Sequence, residues 1–217
     1  DQNNNILVAG QHQLINSTVF TTFIKKYDMS GQLITTVESD DLNDGFEWDE
    51  RVNINVDNNG NVYLYTTHHE NIQDLNYVFN SFILDPLYIR SEILFKMDNN
   101  FSVIDAINFG SGSTVAKQII VLSNNDIILR KTHNDLGFII NNMHYENDVN
   151  QEGKIAHLDS NNEFVKFHTL GNSFGNTIAL SVTANNNNIY SLYFRRGVFT
   201  NNGTIHPSGY YVVKETY

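Results

Sequence analysis

The sequence contains no cysteine, two prolines and a single tryptophan. Without cysteine there is no disulfide-held scaffold and no zinc site with thiolate ligands. The compartment stays open on this count, because large bacterial surface proteins often dispense with disulfides. Basic residues are also scarce: 13 Lys and Arg stand against 24 Asp and Glu, for a formal net charge of −11. A phosphate backbone is gripped by clustered cations, and these are spread thinly, so nucleic acid is not an expected partner. No apolar run approaches the ~20 residues of a membrane-spanning helix, so no membrane span is expected. A charged-then-apolar leader is missing too, and the expectation is that any export signal has been removed or was never present. No stretch sustains a 3.6-residue apolar period, which leaves almost no room for helix.

Asparagine, by contrast, is abundant, at 33 of 217 residues, alongside 14 Phe and 11 Tyr. Asn tolerates the left-handed backbone and hydrogen-bonds its own turn, so clusters of it read as tight turns. Between the clusters run alternating Val, Ile, Phe and Tyr, which a disordered tract would lack. An apolar content of 41% is enough to bury a core.

Laid on itself, the chain repeats. An Asn-rich turn followed by an apolar strand recurs as DQNNNILVAGQH from Asp1, DNNGNVYLYTTHH from Asp57, LSNNDIILRKTH from Leu122 and ANNNNIYSLYFRR from Ala184. A variable insert comes next, then FIKKYD at 23–28, ILFKMD at 93–98, KIAHLD at 154–159 or YVVKET at 211–216. Three of these end in Asp28, Asp98 and Asp159, and a polar turn leads on to QLITTV, FSVIDAINFG or EFVKFHTLG. RVNINVD at 51–57, AKQIIVL at 116–122 and TIALSVT at 177–183 supply the remaining strand, which runs into the next Asn turn. Each strand alternates with period two, and turns of two to four residues are expected between them. The expected fold is all-β: a β-propeller of four-stranded antiparallel meander blades, each about 60 residues long.

The succession FIKKYDMSGQLITT and DERVNINVDNNGNVYLYTT resembles the bacterial β-propeller repeat family often labelled SBBP, and more loosely the NHL repeats. The likeness spans essentially the whole chain and is best in the first full unit. Later, Leu122 and Thr183 stand where that unit has Asp57, and Asn125 and Asn187 stand where it has Gly60. The resemblance implies a propeller. It lends no site residues, because the family is functionally diverse and carries no catalytic motif.

In the strand order of such blades, innermost A to outermost D, the chain reads BCD, ABCD, ABCD, ABC, or 14 strands and about 3.5 blades. We take 1–217 as one propeller domain with repeats near 1–48, 49–110, 111–171 and 172–217. An open ring would leave strand edges bare. Three completions are open: an excerpt of a longer six- to eight-bladed ring, a compact four-bladed ring, or self-association of two copies into seven four-stranded blades. The inward face of the A strands, Val52, Ile54, Val56, Ile119, Val121, Ile178, Leu180 and Val182, is expected to form the most buried core.

All long connections are of the B–C or D–A kind, which emerge on one face of a propeller, and long loops on a rigid scaffold commonly carry binding residues. Expected there are exposed aromatics such as Tyr77, Phe79, Tyr88 and Tyr145. Six residues beyond the first apolar residue of each B strand stand His12, His68, His133 and Arg195. Imidazoles at such positions can bind a transition metal or exchange protons. B strands lie off the axis, however, so these side chains are expected to be separated, with no metal between them. The acidic stretch 38–50 could hold Ca²⁺ or simply face solvent; its spacing is not that of an EF-hand. No nucleophile elbow, phosphate loop or HExxH is present. The reading that follows is a secreted or cell-surface, bacterial-like binding or structural module, with a protein or carbohydrate ligand at the long-loop face. The alternative is a polysaccharide lyase or hydrolase with a metal at the histidines.

Overall fold

The computed structural model describes residues 1, 3–13, 20–39, 52–69, 77–84, 90–109, 116–131, 137–140, 143–146, 151–152, 154–168, 177–185, 188–197, 199–201 and 204–216. Strand dominates them, and none is helical. The chain divides into two compact units, Asp1–Val115 with Ile139–Asn142, and Ala116–Phe138 with Met143–Tyr217.

In chain order the strands are β1 (Ile6–Gln13), β2 (Phe20–Tyr27), β3 (Leu33–Glu38), β4 (Asn53–Val56), β5 (Val62–His69), β6 (Tyr77–Phe79) and β7 (Phe82–Leu84). Next come β8 (Arg90–Met97), β9 (Val103–Asn108), β10 (Ala116–Val121), β11 (Ile127–Lys131), β12 (Gly137–Ile140), β13 (Met143–Glu146) and β14 (Gln151–Glu152). The last are β15 (Lys154–Leu158), β16 (Phe164–His168), β17 (Thr177–Asn185), β18 (Asn188–Arg195), β19 (Phe199–Asn201), β20 (Thr204–His206) and β21 (Gly209–Thr216). Four main sheets result, ordered β1-β2-β3, β4-β5-β8-β9, β10-β11-β15-β16 and β14-β17-β18-β21. Consecutive main strands pair antiparallel; among the described residues only β14 lies parallel to its neighbour, β17. The inserts that precede β8, β15 and β21 hold two-stranded pairs of their own, β6-β7, β12-β13 and β19-β20.

One end of each of the first three sheets is built from a repeated turn. It runs five residues, longer than the two to four expected, as in 28–32, 57–61, 98–102, 122–126 and 159–163 between paired strand ends. In Asp57–Asn61 the Asp57 amide donates to the Asn61 carbonyl (3.0 Å), and the Gly60 amide donates back to the Asp57 carbonyl (3.1 Å). The Asp57 carboxylate accepts from the Asn59 and Asn61 amides at 2.9 and 2.8 Å. The same two carboxylate bonds recur at Asp1, Asp28, Asp98 and Asp159. The fourth residue of every such turn is left-handed: Asn4, Gly31, Gly60, Phe101, Asn125 and Asn162 all have φ between 60° and 84°. Gly and Asn accept that conformation cheaply. Phe101 does not, yet it stays there with its ring fully buried.

Apolar burial centres on the second and third strands of each sheet. In the first unit Ile24, Val62, Leu64, Phe79, Ile93, Phe95, Met97 and Phe101 form one cluster, with Leu7, Ala9 and Val37 of the first sheet packed on it. In the second, Leu122, Ile128, Ile155, Ala179, Val182, Ile189 and Tyr193 form another. Each such side chain contributes about 1.5–3 kcal/mol by leaving water. The expected primacy of the A strands is therefore corrected. Ile119 and Val182 are buried, but Val52, Ile54, Val56 and Val121 are only partly so, Leu180 is 36% exposed, and the Ile178 side chain lies outside the described residues. β4 and β10 are edge strands with one neighbour apiece, whereas the middle strands have two. In β17 a bulge between Ala179 and Ser181 breaks the alternation, so Ala179 and Val182 turn inward and Leu180 outward.

Candidate functional site

Of the strand-end set, the structure describes the side chains of His12 and Arg195. His12 lies one residue from the end of β1, its ring 5.7 Å from that of Phe23. His68 is on β5 opposite Ser91, with its side chain outside the described residues, as is all of His133. Arg195 ends β18 and is fully buried. Tyr77 and Tyr145 fall on β6 and β13 with undescribed side chains, and Tyr88 is not described. Phe79, expected to be exposed, is fully buried: the β6-β7 pair folds it down to stack on Phe95 at 5.2 Å. Of the acidic stretch, 40–50 is outside the described residues.

Polar chemistry gathers elsewhere, where the repeat breaks. The C-strand residues paired with Leu7, Tyr63, Ile128 and Tyr190 are Lys26, Lys96, His157 and Lys214, and the same bulge follows Lys26, Lys96 and His157. The residue before the B strand is Asn5 and Asn61 in the first two sheets, each donating to the carboxylate of Asp1 or Asp57. In the third sheet the turn begins with Leu122, and the acid has moved to Asp126, which accepts from His157 Nε2 at 2.8 Å. His168 pairs with Ile155 as Val37 pairs with Ile24 and Ile107 with Leu94, so it occupies an apolar position. Glu215 pairs with Ile189 where Tyr27, Met97 and Leu158 stand in the other sheets. His168 Nδ1 donates to Glu215 Oε2.

Four departures from the repeat thus meet in one place. The His157 and His168 rings stack with centroids 5.6 Å apart and planes at 21°. Both residues are buried, at 5% and 1% exposure, and His157 Nδ1 and His168 Nε2 have no hydrogen-bond partner among the described residues. A carboxylate only accepts, so each ring nitrogen facing one carries a proton. Burial alone would raise the Glu215 carboxyl; the His168 hydrogen bond and the field of His168, Lys166 and His157 outweigh it and hold the group below its usual range. Lys166 Nζ approaches Glu215 at 3.9 Å. Burial pushes the Tyr193 hydroxyl up, leaving it a neutral donor, and it bonds the His168 carbonyl at 3.1 Å. Near-parallel rings aim their in-plane lone pairs side by side, whereas one ion needs two nitrogens converging at ~2.0–2.1 Å. The cluster supports charge sharing between two sheets, not coordination. Among the described residues no group of three or more His, Asp or Glu is placed to hold a metal ion.

No family model matches the sequence, and no curated protein matches it.

Proposed function

We propose that the four sheets are blades of a β-propeller and that the protein is an extracellular or cell-surface binding module of the kind the SBBP-like repeat suggests. Its ligand, a protein or a carbohydrate, is contacted by the inserts between second and third strands. One observation carries this reading. In the first three sheets the end with the five-residue turns is uniform, while in all four sheets the inserts leave from the opposite end to the turns, and the paired strands in three of the inserts each present an exposed apolar side chain. These are Ile83 on β7, Met143 on β13 and Ile205 on β20, at 61%, 62% and 72% exposure. Single exposed apolar residues are common on any surface; one in each insert pair is a pattern that a binding face explains.

The test is a paired panel of immobilised polysaccharides and purified surface proteins, probed with the wild type and with an Ile83→Ser, Met143→Ser, Ile205→Ser triple variant. The expected outcome is a ligand whose affinity falls at least about tenfold, a loss of ~1.4 kcal/mol, at an unchanged melting temperature. A ligand held equally by both proteins would remove the inserts from the reading. The alternative, a polysaccharide lyase or hydrolase with a metal at the histidines, is the weaker proposal, because Arg195 at the fourth equivalent position is buried. Stoichiometric Zn or Mn in the purified protein, lost in His68→Ala, would reverse that order.

A further inference from the structure

The third and fourth sheets belong to one compact unit, and they meet in more than an apolar contact. β17 pairs with β18 along one edge, from Thr177 to Asn185. Among the described residues, its other edge has a strand beside it at Thr177 and Ile178 alone, where the two-residue β14 lies parallel. β14 closes the insert 132–153 of the third sheet, and the chain then leaves for β15, so β14 does not run further along β17. Beyond it, side chains of the third sheet meet the main chain of β17. Arg130 Nη1, on β11, donates to the Ala179 carbonyl at 2.8 Å. Gln118, on β10, makes two such bonds: Nε2 donates to the Val182 carbonyl at 2.6 Å, and Oε1 accepts from the Val182 amide at 3.1 Å.

A carboxamide carries donor and acceptor in one plane, as a peptide group does. By serving both main-chain groups of Val182, Gln118 fills the place that a residue of an adjoining strand would fill. The bulge in β17 makes this row possible. Strict alternation would turn the Ala179 main chain toward β18 when that of Val182 faces away; the extra residue, Leu180, resets it. The sequence marks the position as well. Ile120, two residues on, packs against the apolar cluster of this unit, and a glutamine at 118 interrupts that face. Ser181 Oγ, from the fourth sheet, donates to the same Gln118 Oε1 at 3.4 Å. We propose that β14, Arg130 and Gln118 act together as a composite strand that clasps the edge of β17, with Gln118 as the positioning residue. Apolar surfaces can slide past one another, whereas a two-bond match to one peptide group fixes the third sheet on the fourth to a single residue. The clasp also ties the insert 132–153 to the neighbouring sheet through β14. The inference concerns two sheets of one unit and is independent of any ligand.

The experiment is amide hydrogen exchange, resolved by NMR, on the full chain and its Gln118→Leu and Gln118→Glu variants. The amides of Leu122 and Asp159, which donate to the Asp126 and Glu163 carbonyls, serve as controls for the third sheet. In Gln118→Leu the protection of the Val182 amide is expected to fall at least about tenfold, with the controls unchanged. Protection in the β14–β17 pair should fall with it, because the row acts as one. Glu at 118 can accept from the Val182 amide but, when ionised, cannot donate to the Val182 carbonyl. Gln118→Glu should therefore resemble Gln118→Leu at neutral pH and regain protection, relative to the wild type at the same pH, at about pH 4 as the carboxyl takes up its proton. Unchanged protection at Val182 in Gln118→Leu overturns the proposal. So does a loss shared equally by Leu122 and Asp159, which would mean general packing, or one confined to Val182, which would leave no composite strand. A Glu variant without recovery in acid would remove the donor role from Gln118 and the clasp with it.

Discussion

Asp57 shows how much of this fold is decided by one side chain. Its carboxylate accepts from two main-chain amides, from Asn61 Nδ2 at 2.8 Å and from the Tyr63 hydroxyl at 3.4 Å, and it does so while 5% exposed. Asp57→Ala removes the acceptor of two partly buried N–H groups, and we expect a loss of about 1–3 kcal/mol in urea unfolding. Asp28 makes the same turn in the open, so Asp28→Ala should shift the midpoint less; equal losses would mean that the turn, not its burial, sets the cost. These aspartates and the Gly or Asn three places on were legible in the sequence because turn chemistry is local. Phe101 was not legible as a left-handed residue. Its place there depends on a buried pocket for the ring, which no local pattern announces.

At the scale of elements, strand alternation placed the 14 main strands of the four sheets, and the antiparallel order among them follows the sequence reading. The paired strands within the inserts escaped it: three or four residues give too few alternations to register. The histidine cluster was readable in principle, since Lys26, Lys96, His157 and Lys214 align in sequence. Aligning only the ends of the B strands drew attention to His12 and Arg195 instead. Because His168 and Glu215 occupy positions that are apolar in the other sheets, their energies should be strongly coupled. His168→Ile alone leaves a carboxylate facing an aliphatic surface and should cost about 3 kcal/mol, whereas His168→Ile with Glu215→Met should recover most of it. Additive losses in that cycle would mean that the pair does not act as a unit. The same carboxylate gives a pH signature. Its folded value lies below the ordinary 4.5, so its contribution is complete above that range and drains away as the pH falls through the folded value. Thermal melts of Glu215→Gln should accordingly show a flatter decline below about pH 5 than the wild type; parallel curves would refute the assignment.

For the molecule as a whole, 33 asparagines raise a question of endurance, because Asn side chains age by attack of the following backbone nitrogen on their own carboxamide. The repeated turn bears directly on this. After Asn59 the Gly60 amide is engaged by the Asp57 carbonyl, after Asn100 the Phe101 amide by Asp98, and after Asn161 the Asn162 amide by Asp159. In each case the nitrogen that would attack has its proton committed and its direction fixed. The step Asn59–Gly60, flexible and labile in an unstructured peptide, is thereby held in an unreactive pose by the same bonds that set the register of β4 and β5. Peptide mapping after long incubation should find Asn59 intact in the folded wild type and converted to aspartate and isoaspartate faster in Asp57→Ala. The Asn-rich turn then serves as a chemical preservative as well as a corner, and a protein with this composition can persist where its own turnover is slow.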